Sequence, residues 1–232
     1  MNLNSYPIGM TSPASQSPST ASSSPQTLAI LGGTGRTGRL LIDMALAAGH
    51  EVRVLARNPE RLHRRDPRLS VVTGDARNAA DLAALLEGTD AVLSTLGPVR
   101  SDPAGVMTQA AEGLAQAMPA AGVTRLITLT GAGVAQPGDR PKLFDHVIRR
   151  VLKLAQPDVL RDSEGHVERL RRSDLNWTAV RAPMLTDGPP APLKVGMVGD
   201  IGPRLSRASA AAFMLQQLDS DAHSRQAPAI SN

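Results

Sequence analysis

The stretch Leu28-Ala29-Ile30-Leu31-Gly32-Gly33-Thr34-Gly35-Arg36-Thr37-Gly38-Arg39-Leu40 decides the fold. A short apolar run enters a glycine cluster, and the cluster enters a segment with helical spacing, so the stretch reads as strand, tight turn, helix. Gly33, Gly35 and Gly38 stand at the G-x-G-x-x-G spacing of a dinucleotide fingerprint, and Gly32, Gly35 and Gly38 at a second, three-residue spacing. Without a Cβ the first glycines let the chain turn and bring backbone amides close to a pyrophosphate, while the last lets helix pack on strand. Free N–H groups and the helix dipole then favour an anion at Thr34, Gly35, Arg36 and Thr37. A Gly-Lys-Ser/Thr sequence does not follow, which excludes a Walker loop.

Outward from this turn, short apolar runs alternate with helical stretches. Strands are expected at 28–31, 52–55, 69–72, 91–96, 126–129 and 177–180, and helical periodicity lies between them, as at 79–86, where Leu82, Leu85 and Leu86 share a face. Such alternation predicts an α/β fold: a single doubly wound Rossmann domain over 27–232, with a parallel sheet and helices on both faces. Residues 1–26 contain no charge and are dominated by Ser, Pro, Thr and Gln, a composition that buries too little apolar surface to offset ordering entropy. They are expected to form a disordered tail.

The second strand discriminates between cofactors. Enzymes that use NAD place Asp or Glu about 20 residues past the glycines to hold the ribose hydroxyls. Here Val54-Leu55-Ala56 leads into Arg57-Asn58-Pro59-Glu60-Arg61, with no carboxylate at the tip. Arg57 is instead placed to meet a 2′-phosphate with a planar, permanently charged fork, aided by Arg36 and Arg61, so NADP(H) is the expected cofactor. Gly74-Asp75-Ala76 closes the third strand and Ser94-Thr95-Leu96-Gly97 the fourth, and the ends of adjacent strands at a topological switch line a cofactor crevice. Asp75 reads equally well as an adenine contact and as a turn residue.

Composition removes other classes. The chain has 232 residues, net charge +4 and no cysteine, so disulfide, thiolate and zinc–cysteine chemistry are excluded and redox chemistry must come from a cofactor. Aromatic residues make up 2% of the chain, too few for a stacking nucleic-acid surface. No apolar run approaches the roughly 18 residues of a membrane span, and no basic segment with an apolar stretch marks a secretory signal, so a cytoplasmic protein is expected. No His or acid spacing suggests a metal. A monomer or small homo-oligomer is expected.

The chain resembles the atypical short-chain dehydrogenase/reductase group, in particular NAD(P)-binding proteins similar to biliverdin reductase B, also called flavin reductase, of NmrA-like type. The resemblance covers roughly Thr27 to the C-terminus and rests on 31–38, 54–59, Gly74-Asp75, Leu96-Gly97, Met107, Leu129-Thr130 and the block from Leu170 to Pro183 with Leu185 to Pro189. It implies cofactor contacts at Gly32, Gly33, Leu96, Gly97, Met107, Thr130, Gly131 and Met184, and a reductase of flavins, quinones or similar planar acceptors. Departures matter. The single tyrosine, Tyr6, lies in the tail, so a Tyr-x-x-x-Lys donor cannot exist. The family serine after the fifth strand is Gly131, and two family histidines correspond to Ser163 and Met184.

Hydride transfer to a flavin or quinone needs chiefly positioning, whereas carbonyl reduction wants a proton donor. His166, on a helix expected at 163–172, is the candidate donor. His146 falls in a connection, 137–162, read as a lid, and Glu164 and Glu168 read as solvated partners of Arg171 and Arg172. Two functions remain open: an NADPH-dependent oxidoreductase acting on a planar acceptor, and a non-catalytic NADP(H)-sensing regulator. A sugar-nucleotide epimerase is disfavoured by the missing tyrosine motif.

Overall fold

The computed structural model describes residues 24–97 and 105–232. The glycine stretch forms β1 (Thr27–Leu31) and α1 (Arg36–Ala47), followed by β2 (Glu51–Ala56), a 3₁₀ turn (Pro59–Arg61), β3 (Leu69–Thr73), α2 (Ala79–Leu86) and β4 (Ala91–Ser94). Beyond them come α3 (Val106–Ala120), β5 (Arg125–Gly131), α4 (Leu143–Ala155), α5 (Pro157–Arg171), β6 (Asn176–Ala182), β7 (Met184–Thr186), β8 (Lys194–Gly196), β9 (Arg204–Ser206), α6 (Arg207–Gln216) and β10 (Ala229–Ser231). Eight strands form one sheet in the order β3-β2-β1-β4-β5-β6-β10-β8, and β7 and β9 form a parallel pair of their own. Every pairing in the large sheet is parallel except β10 with β8. The strand order reverses between β1 and β4, which opens a crevice at their carboxyl ends. This is the expected doubly wound Rossmann-type arrangement.

Period-two alternation divides the core. Leu28 and Ile30 point to the face covered by α1 and α6, with Leu41, Ala45 and Phe213, while Ala29 and Leu31 point to the face covered by α2, α3 and α5, with Leu82, Leu114 and Val167. Both faces are covered, so β1 is apolar from Leu28 to Leu31 and β4 from Ala91 to Leu93, as buried parallel strands favour.

Three readings need correction. The span 137–162 is not an open connection: α4 occupies Leu143–Ala155, and α5 begins at Pro157, where proline fits the first helical position. β4 ends at Ser94 because Thr95 turns its hydroxyl to the carbonyls of Leu31 and Gly32, each at 3.2 Å. Glu164 pairs with Arg149 across α4 and α5 at 3.0 Å, not with the arginines of its own helix, whereas Glu168 does hold Arg171 and Arg172. The Gln26 carbonyl accepts from the Glu51 amide at 2.9 Å. Residues 1–23 of the expected tail, Tyr6 among them, lie outside the described residues.

Candidate dinucleotide site

The turn between β1 and α1 is built where nothing larger than glycine fits. Gly32 adopts φ +77°, and a Cβ there would stand 2.7 Å from the Thr95 carbonyl carbon. A Cβ on Gly38 would stand 2.2 Å from the Gly32 carbonyl oxygen. Gly33 is pressed against Val54 of β2. The Gly35 amide donates to the Gly32 carbonyl at 3.0 Å and closes the turn, and Gly35 caps α1 without any side-chain bond. The amides of Arg36, Thr37 and Gly38 therefore begin the helix with no intrahelical acceptor and no cap. Thr37 and Gly38 are buried, whereas Gly35 and Arg36 are exposed at the crevice. An open helix mouth flanked by close-packed glycines fits a diphosphate.

Beside it, the tips of β2 and β3 carry Arg57 and Asp75. Arg57 is exposed immediately after Ala56, and the Arg39 guanidinium donates to the Arg61 carbonyl at 2.9 Å, tying α1 to the 3₁₀ turn. Arg61 is exposed too. The Arg77 guanidinium and amide bond the Asp75 carboxylate, the latter at 3.0 Å. Those bonds, with the Arg57 charge adding to them, hold Asp75 at about 2 against its ordinary 3.8. Asp75 is thus a turn-forming anion already engaged by arginine, and Ala76 beside it is buried. Arg36 stands 3.8 Å from Asp187, which also takes Arg207 at 2.7 Å.

At the other side of the crevice, Leu96 and Gly97 are half-buried, and Gly131 is exposed at the end of β5. The neighbouring Thr130 is 6% exposed and its hydroxyl has no hydrogen-bond partner. Met184 is 58% exposed at the start of β7, an apolar surface open to a ligand. Met107, in the first turn of α3, is buried at 3% exposure.

His166, the candidate proton donor, is buried. The ring is 3% exposed, Nδ1 lies 3.1 Å from the Met107 carbonyl and Nε2 lies 3.1 Å from the Thr128 hydroxyl. Both nitrogens are engaged, one on α3 and one on β5, and burial lowers the pKa below 6.5. As placed, the ring bridges α3 and β5 from its position on α5. His146 is exposed on α4. Asp162, which sequence reasoning missed, completes the same network. Its carboxylate accepts from the amides of Met107 and Thr108 at 3.0 and 2.8 Å and from the Thr108 hydroxyl at 2.8 Å, capping α3 from another helix. A partner 54 residues away leaves no local signal.

Fold and turn together define a Rossmann-type dinucleotide-binding protein. The NAD(P)H-binding family model matches residues 32–221, and the chain belongs to that family. The expected resemblance to short-chain-type NAD(P)-binding proteins is thereby borne out. Among curated proteins the chain is 34% identical over 153 residues to a (4-alkanoyl-5-oxo-2,5-dihydrofuran-3-yl)methyl phosphate reductase of Streptomyces griseus, a match that takes in 66% of this chain and 45% of that protein's length. Among solved structures, the oxidoreductase ylbE of Lactococcus lactis superposes with TM-score 0.75 at 19% identity over 89% of this chain and 90% of its own. ChuY, an anaerobilin reductase of Escherichia coli O157:H7, superposes with TM-score 0.70 at 20% identity over 88% and 96%. These likenesses bear on fold. No helix among the described residues is long and apolar enough to cross a membrane, and no group of three metal-binding side chains occurs among them.

Proposed function

We propose that the chain, folded as one domain over 27–232, is an NADPH-dependent reductase that passes hydride to a planar acceptor such as a flavin or quinone. The observation that carries the reading is the glycine cradle opening onto an uncapped helix mouth, with Arg57 at the adjoining strand tip where an NAD enzyme would carry a carboxylate. The reductase names of the Streptomyces and Escherichia proteins point the same way. The first amides of α1 would hold the diphosphate, and Arg57, with Arg61 and Arg36 nearby, the 2′-phosphate. The Thr130 hydroxyl, buried without a partner, and the exposed Met184 would bracket the reacting end.

Bound there, the cofactor supplies a hydride. The chain's part is to orient the two flat partners and exclude water, and the balancing proton comes from solvent, because His166 is occupied within the core. A reaction that needs no protein acid suits this wall. Carbonyl reduction does not.

Calorimetry with NADPH and NADH on the wild type and Arg57→Ala tests the cofactor assignment. The substitution is expected to cost about 1.5–3 kcal/mol of NADPH affinity and leave NADH unchanged, and equal losses for both would overturn it. Oxidation of NADPH with FMN, dichloroindophenol or a quinone tests the reaction. The sealed His166 favours one rival, an NADP(H)-sensing regulator, which tight binding with no turnover on any acceptor would establish instead.

A further inference from the structure

Away from the glycine turn, a cavity of about 510 Å³ opens between the start of β6, the β8–β10 edge, the end of α5 and the β5–α4 connection. The register sets Trp177 beside Leu126, near the start of β5, whereas the dinucleotide crevice lies at the opposite, carboxyl ends of the strands. The volume falls within the roughly 300–1,000 Å³ of small-molecule sites.

The lining has an uneven chemistry. Trp177 is 3% exposed and its indole Nε1 has no hydrogen-bond partner, and the buried Nε2 of Gln136 has none either. Arg171 donates to the Gln136 Oε1, which turns the amide nitrogen away from that arginine. Arg225 adds a second guanidinium, anchored by Nη1 to the Leu175 carbonyl at 3.3 Å. No Asp or Glu is among the residues lining the cavity, and the carboxylates behind them are engaged: Glu168 stands 3.5 Å from Arg171, Asp139 accepts from the Gln136 amide at 2.7 Å, and Asp200 accepts from the Met197 amide at 3.3 Å. Val195 and Met197 supply an apolar wall. Buried N–H groups without acceptors are costly in a folded protein, and two on lining residues, with two cations among the other lining residues, describe the complement of an acceptor-rich anion.

We propose that this cavity is a second small-molecule site, taking an organic carboxylate or sulfonate with a flat apolar body. The anionic head accepts from Trp177 Nε1 and Gln136 Nε2 while Arg171 and Arg225 neutralise its charge, and the body rests on Val195 and Met197.

The chain has one tryptophan, so its indole N–H gives a single nitrogen–proton resonance that reads the site directly. Titration of the nitrogen-15-labelled full chain with 1-naphthoate is expected to move that resonance saturably, with and without NADPH, while neutral 1-naphthamide leaves it in place. Arg225→Gln and Arg171→Gln are each expected to weaken naphthoate binding about tenfold, the scale of one charged hydrogen bond, with the remaining spectrum showing an intact fold and NADPH affinity unchanged. An indole signal unmoved at millimolar naphthoate, an equal response to the amide, or wild-type affinity in both variants would overturn the site. None of these outcomes depends on the cofactor assignment.

Discussion

The two halves of the sheet are held together by different physics. From β3 to β4 the strands are cemented by aliphatic side chains, and backbone meets backbone closely around Gly32 and Gly38. From β5 to β8 the structure relies on buried polar groups. Arg181, with 0% side-chain exposure, forms a bidentate pair with Asp139 at 2.7 and 2.8 Å and donates to the carbonyls of Ala227 and Val134. Asp139 in turn accepts from the amides of Gln136 and Val198, so one ion pair joins β6, the β5–α4 connection and the segments around β8 and β10. Arg125 ties the C-terminal segment to β5 and β6 in a similar way, through the carbonyls of Gln217 and Asn176. The apolar half presents a rigid turn to a ligand. The polar half positions loops and helices that would otherwise have little to pack against.

The contrast can be broken most severely at Asp139. Asp139→Ala leaves Arg181 charged, buried and unpaired, and is expected to cost about 3–5 kcal/mol in denaturant unfolding. Replacing both members with apolar residues of similar size is expected to recover much of that loss, because the penalty lies in the orphaned charge. In the apolar half, Gly38→Ala forces a methyl against the Gly32 carbonyl. It is expected to lower stability by about 1–3 kcal/mol and to weaken NADPH far more than the stability loss alone explains, as calorimetry on the folded fraction would show. Equal effects on folding and binding would mean that the turn is merely structural.

Smaller changes sharpen the comparison. Asp162→Ala removes the remote cap of α3 and is expected to cost about 0.5–2 kcal/mol, with early hydrogen exchange at Met107 and Thr108 and little change around Gly35. Acid separates the contributions further. Burial depresses His166 below 6.5, so its contribution is complete above that pH and is lost as pH falls through 6.5 toward the lowered value. His166→Gln should flatten that part of the stability profile, although His50 and His223 shift in the same direction and remain. Burial pushes the Asp139 carboxyl up, but Arg181 and the two amides outweigh it and hold it below 3.8. Asp75 stands at about 2. Stability from both carboxylates is present above 3.8 and falls away beneath it, so a profile with no loss below 3.8 would refute the assignment.

What the residues alone determined follows from local rules. A glycine spacing between an apolar run and a helix leaves few conformations available, and alternation of strands and helices leaves few topologies, so β1 to β6, the strand–turn–helix and the crevice at Arg57 were legible without coordinates. Tertiary structure alone decided the rest. β10, the three residues that follow Pro228, has no periodicity to betray it and gains its place from pairing with β6 and β8. The burial of His166 depends on Thr128 and Met107, 38 and 59 residues away. The same holds for Asp162, Asp139 and the donors around Trp177: a polar side chain's role is fixed by which distant groups share its low-dielectric surroundings, and sequence spacing carries no record of that.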